Sequence, residues 1–131
     1  MGLRLIGALL AVLLLAAVAE AITVKTLALQ TAATANGNGT DIDIKGFTTT
    51  VIQVAGTFTA TVNFEASVDG LNWFSKECFS EANRMTSATS ATAASGWRCN
   101  LIGLNRLRAR ISGYGSGTVT VTAGLASAGV S

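Results

Sequence analysis

Histidine and proline are both absent from these 131 residues, cysteine occurs twice, and charged side chains make up only 12%. Without histidine the usual general base is missing, and so are the Ser–His and Cys–His pairs that activate nucleophiles. Two cysteines with no histidine also make a zinc site improbable, since zinc wants four soft or nitrogen ligands. The formal net charge is +2, with no long run of one sign. That is too mild for a nucleic-acid partner, which usually announces itself by a strong basic excess. There is no G-x-S-x-G and no phosphate-cradling loop. Glu65 and Asp69 are four apart on a turn-bound strand, which by itself makes no acid–base dyad. No catalytic residue, cofactor site or metal site is assigned, and the expectation is a protein without enzymatic activity.

What is present begins with MGLRLIGALLAVLLLAAVAEA. Arg4 gives a short positive start, Leu5 to Ala19 are fifteen apolar or small residues, and Ala19-Glu20-Ala21 is a small-x-small cleavage pattern. Fifteen helical residues reach about 22 Å, short of a bilayer's hydrocarbon core of roughly 30 Å. The reading is a hydrophobic N-terminal helix acting as a signal peptide over residues 1–21, cleaved before Ile22. An uncleaved leader is the alternative, and the one route to a membrane. Residues 22–131 then form a single domain, secreted, extracellular or on a virion surface, with its balance still at +2. In an exported chain Cys78 and Cys99 are expected to pair, closing a loop of about twenty residues worth roughly 3 kcal/mol; two free thiols are the alternative.

After the leader the apolar period is two. Ala60, Val62, Phe64, Ala66 and Val68 alternate with Thr59, Thr61, Asn63, Glu65 and Ser67. Leu107, Ala109 and Ile111 alternate with Arg106, Arg108 and Arg110, and Thr118 to Ala123 alternate without a fault. Strands are expected at 22–32, 41–46, 49–55, 58–68, 72–79, 97–102, 106–112 and 117–124. Asp69-Gly70 reads as a type I′ turn, and SGYGSG (Ser112 to Gly117) as a hairpin loop. The fold class is all-β, an antiparallel sandwich (immunoglobulin-like or jelly-roll-like) of seven or eight strands. Residues 80–96 stand out as a long, small, polar segment: either a connection holding a hidden short strand or a surface loop pinned by the two cysteines.

Several residues suit contact with a ligand or partner. Trp73, Trp97 and Tyr114 offer rings for a sugar face, or simple packing. Arg106, Arg108 and Arg110 form a comb of guanidinium forks suited to carboxylates or phosphates, or a solvated face answered by Glu65, Glu77 and Asp43. NGNGTDID invites a calcium reading through Asn36, Asn38, Asp41 and Asp43. Alternate strand residues stand about 6.5–7 Å apart, however, too wide to share one ion, and a glycine-rich turn explains the stretch. Asn38 begins a formal glycosylation sequon.

The stretches VIQVAGTFTATVNFEASVDGLNWF and GLNRLRARISGYGSGTVTVTAG resemble small β-sandwich modules of tailed-phage structural proteins. There a G-T-F step leads to V-x-F-E-x-S-x-D-G-x-x-W, and a G-L-x-x-x-R-x-R-x-S strand leads to G-T-V-T-V. The likeness covers roughly Thr50 to Gly124, mainly in turn and core positions. It implies a structural role: a decoration, fibre or tail-associated subunit. A secretory leader and a disulfide depart from that pattern.

The segment ITVKTLALQTA, with Ile22, Val24, Leu27 and Leu29, is proline-free and mostly uncharged. It suits donation to a neighbour's sheet edge, building a filament of copies, or the first strand of its own domain. The expected function is a self-assembling structural subunit in a virion or extracellular appendage. The second reading is a secreted carbohydrate-binding or adhesive module that meets a cell-surface glycan.

Overall fold

The computed structural model describes residues 23–127. The leader and Ile22 lie outside that range. All regular structure within it is β, in two antiparallel sheets. The strands are β1 (Thr23–Ala33), β2 (Ile42–Asp43), β3 (Thr49–Ala55), β4 (Phe58–Ser67), β5 (Phe74–Ser75), β6 (Cys78–Ser80), β7 (Ser87–Ala88), β8 (Ser90–Ala91), β9 (Ser95–Asn100), β10 (Arg106–Gly117) and β11 (Val119–Ser127). The first sheet runs β1-β11-β3-β9-β6-β7; the second runs β2-β10-β4-β5, with β8 also on β4.

The period of two builds the core. Ile52 and Val54 of β3, and Val119, Val121, Ala123 and Leu125 of β11, point inward from the first sheet. Val62, Phe64 and Ala66 of β4, and Leu107, Ala109 and Ile111 of β10, meet them from the second. Phe64, the largest fully buried side chain, has its ring 5.7 Å from that of Trp97 on β9. Buried polar groups are answered: the Thr50 hydroxyl donates to Gly124 O, and no buried side-chain polar atom among the described residues lacks a partner.

The sandwich has eleven strands where seven or eight were expected. The stretch 72–79 divides into β5 and β6, which belong to different sheets, and residues 80–96 hold β7 and β8. Two-residue strands are too short to carry a period. Phe79 sits opposite Arg98, so Cys78 falls opposite Cys99 and their disulfide joins β6 to β9 within one sheet.

SGYGSG is not a hairpin loop. β10 continues through it to Gly117, with a register shift between Ser112 and Ser116, and β11 belongs to the other sheet. Asp69-Gly70 is not a type I′ turn either: only Gly70 has positive φ (78°), and Asp69 does not. Asp69 acts through its carboxylate instead, accepting from the Leu71 and Asn72 amides, the Asn72 side chain and the Ser67 hydroxyl. Val68, expected inside, is 55% exposed because β4 ends at Ser67. Glu65 and Ser67, placed by parity on the outer face, are nonetheless buried.

One flank is closed by residues 34–41, which pass from the β1 edge to the β2 edge. Gly37 exchanges backbone hydrogen bonds with Ile111 (3.1 and 2.8 Å), and buried Gln30 donates to Gly37 O and Ala109 O. Gly39 is required there. Its φ is +64°, and a Cβ would lie 2.3 Å from Leu29 O.

Candidate functional site

Strand parity puts Arg106, Arg108 and Arg110 on the outer face of β10, with Ser67, Glu65 and Asn63 of β4 directly opposite. Glu65 takes one guanidinium on each carboxylate oxygen. Arg108 Nε lies 2.8 Å from Oε1 and Arg110 Nε lies 3.0 Å from Oε2. The Arg108 guanidinium also lies 4.1 Å from the centroid of the Trp73 ring, a cation–π contact. Trp73 reaches it because the β4–β5 loop, shaped by Asp69, turns the chain back across the sheet.

Asn63 completes the row, donating from its amide to Arg110 O and Ser112 Oγ, both at 2.9 Å. Arg106 lies across from Asp43 on β2. It also borders a cleft of about 310 Å3 lined with Asp41, Lys45, Asp69, Gly70 and Asn105. Asn105 ties this end together: its amide donates to Ser67 O, its side chain to Val68 O, and its carbonyl accepts from Ile44. Val68, Leu71 and Ile102 stand exposed on the nearby loops.

Two carboxylates in this region, Asp69 and Asp43, have lowered pKa values. Asp69 lies well below the usual carboxylate range, chiefly through the Asn72 amide and side chain. Asp43 is lowered by the Lys45 amide, with Lys45 and Arg106 nearby. Glu81, on the other sheet, is lowered by its bond to Arg98.

Of the side chains singled out by sequence, Trp73, Arg108 and Arg110 are brought together around Glu65. Glu77 does not join them. Trp97 lies between the sheets, its indole N–H on Ser95 Oγ. Tyr114 packs at the far end of β10, its hydroxyl donating to Gly117 O and its amide to Asn36 Oδ1. Asn36 is therefore engaged by Tyr114, and among the described residues no group of three or more acidic, cysteine or histidine side chains is placed to hold a metal ion. Asn38 is exposed in the flank segment. Val24 is 71% exposed, Leu27 half-buried and Leu29 buried, and the segment that carries them pairs with β11 of its own domain. The residues sequence reasoning missed are Asn105, Lys45 and Gln30, single polar side chains in turns or among apolar neighbours, where no spacing rule marks them.

A family model named XepA matches residues 23–125. The chain belongs to the XepA family. Two solved structures share the fold. The SPBc2 prophage-derived protein YomS aligns at a TM-score of 0.75 and 17% identity, over 81% of this chain and 95% of that one. The PBSX exported protein XepA aligns at 0.78 and 19%, over 82% of this chain and 39% of that one. The chain thus spans well under half the length of XepA itself. No curated protein matches the sequence. The expected kinship with phage β-sandwich modules is met, since both structural neighbours are phage-derived proteins with this fold.

Proposed function

We propose that this XepA-family chain is a non-enzymatic structural subunit that associates with copies of itself, in a phage particle or an exported assembly, and presents the outer faces of its sandwich. The observation that carries self-association is the edge of the first sheet. β1 runs eleven residues without proline, pairs on one side only with β11, and holds Val24 71% exposed. The segment 34–41 meets this edge at Leu29, whose carbonyl accepts from the Thr40 amide, and the edge N-terminal to it is left as a template for another strand. The exported status named for XepA supports a location outside the cytoplasm. The absence of histidine supports the lack of a reaction.

Sedimentation velocity tests this reading. Neighbouring residues of a strand direct their N–H groups to opposite sides, so one of Lys25→Pro and Thr26→Pro removes a donor from the free edge. The wild type is expected to sediment as an oligomer, and that one variant as a folded monomer. A monomeric wild type across the accessible concentration range would rule the reading out.

A second reading, a glycan-binding module, is favoured by one arrangement: Trp73 beside the Arg108–Glu65–Arg110 cluster on an outer face. Glycan-array binding that disappears in Trp73→Ala, with circular dichroism unchanged, tests it.

A further inference from the structure

We propose that Arg108 and Arg110 seat the carboxylates of an acidic polysaccharide, a uronate-bearing chain laid along the outer face of β10; this rests on the glycan reading above and narrows it. The starting point is how the two guanidiniums meet Glu65. Each uses only its inner Nε–H. A guanidinium carries five N–H donors in a planar fork. Among the described residues, the terminal amino groups of Arg108 and Arg110 donate to no protein acceptor. Arg98 shows the contrast within the same molecule. Its Nε and Nη2 both bond Glu81, at 2.9 and 3.3 Å, one to each oxygen. That pair is closed. The pair on Glu65 is open at its outer ends.

The open forks are also fixed in place. Arg108 is held between Glu65 and Trp73, and its side chain is only 17% exposed; that of Arg110 is 38% exposed. Side chains already ordered by the fold lose little further entropy when a ligand arrives. One carboxylate against two guanidiniums leaves the cluster with one positive charge, and Arg106 follows on the same face. A planar two-oxygen anion matches each fork. Alternate residues on one strand face are about 6.5–7 Å apart, so the complementary ligand repeats its anions along a chain.

The neighbours favour a sugar backbone over a phosphodiester one. Asn63 uses its Nδ2 on Arg110 O and Ser112 Oγ, which leaves its Oδ1 free of protein donors among the described residues, as an acceptor for a hydroxyl. The Trp73 indole lies beside the same forks.

Affinity electrophoresis of the purified protein in gels containing polygalacturonate, neutral dextran or polyphosphate decides the matter. Polygalacturonate is expected to retard the wild type, dextran not at all, and polyphosphate more weakly. Arg110→Lys keeps a cation for Glu65 but removes the fork, and it should weaken polygalacturonate binding about tenfold. Arg110→Gln, read alongside, covers the case in which the lysine variant misfolds; near-ultraviolet circular dichroism reports folding for both. Undiminished binding by the folded variants, or polyphosphate bound as tightly as polygalacturonate, overturns the proposal as mere charge attraction. Dextran bound as well as polygalacturonate overturns the acidic class while leaving glycan binding intact. No retardation by any polymer removes both, and oligomer formation in sedimentation is untouched by either result.

Discussion

Opening the Cys78–Cys99 bridge should lower the stability of the domain by about 3 kcal/mol. The two residues are 21 apart in sequence. In the chain-entropy model a loop of that size takes roughly 11 cal/mol/K from the unfolded ensemble, or about 3 kcal/mol at 25 °C. Unfolding a domain of about 105 residues releases on the order of 0.2 kcal/mol/K near its midpoint, so Tm should fall by about 13–15 °C. Scanning calorimetry on oxidised and fully reduced wild type measures this, with thiol titration confirming both states. Cys78→Ala/Cys99→Ala should be less stable still. Both sulfurs are buried, at 0% and 1% exposure, and their loss adds a packing defect to the entropy change. A Tm difference below about 3 °C between oxidised and reduced protein would refute the reasoning. It would mean that the hydrogen bonds of β7 and β8 and the Glu81–Arg98 pair hold this excursion together without the bridge.

Three further outcomes are expected. Glu65→Ala leaves two partly buried guanidiniums without their shared anion, a loss of about 2–3 kcal/mol in urea unfolding once the exposure of Arg110 is discounted; an effect under about 0.5 kcal/mol would show the cluster to be solvated. Gly39→Ala, with positive φ and a Cβ against Leu29 O, should destabilise by roughly 1–3 kcal/mol, whereas Gly37→Ala, with open space around it, should be near neutral. Equal effects at the two positions would contradict the flank geometry. Asp69, Asp43 and Glu81 all have lowered folded-state pKa values. The unfolded chain therefore binds more protons on acidification; their contribution is complete above about pH 4.5 and is lost as pH falls towards the folded values. Tm should be flat from about pH 5 to 7, where no histidine titrates, and should fall below about pH 4. Asp69→Asn should flatten that acid limb, and an unchanged limb would acquit Asp69.

The core was legible because a period of two is a property of neighbours in sequence. Val62, Phe64 and Ala66 on β4, and Leu107, Ala109 and Ile111 on β10, lie where alternation puts them. Where a strand has two residues there is no period to read, so β7 and β8 stayed hidden within 80–96, and β5 and β6 were merged into one strand over 72–79. Turn chemistry misled in a different way. Asp-Gly is compatible with a type I′ turn, but the Asp69 carboxylate has four local donors to satisfy and draws the loop wider than two residues. SGYGSG carries the small residues of a loop, yet the same residues tolerate the register shift by which β10 continues along β4. The candidate site was half visible. Parity aligned the three arginines and suggested Glu65 as an answering charge, but the arrival of Trp73 over Arg108 depends on the loop.

Glu65 shows why parity alone misjudged this face. Alternation assigns a residue to a side of the sheet; it does not say whether that side is wet. Glu65 is on the outer side and still buried, because Arg108, Arg110 and Trp73 cover it. On the other sheet β3 and β11 show that an outer face can be built from neutral residues: Gln53 on β3, and Thr120 and Thr122 on β11. The charges on that side, Arg98 on the interior strand β9 and Glu81 just past β6, are paired with each other. A sandwich that needed only to fold had neutral residues available for both outer faces. Placing a desolvated carboxylate under two outward-facing guanidiniums carries a penalty that the neutral face avoids, so the asymmetry between the two faces marks the β4–β10 side as the one to mutate first.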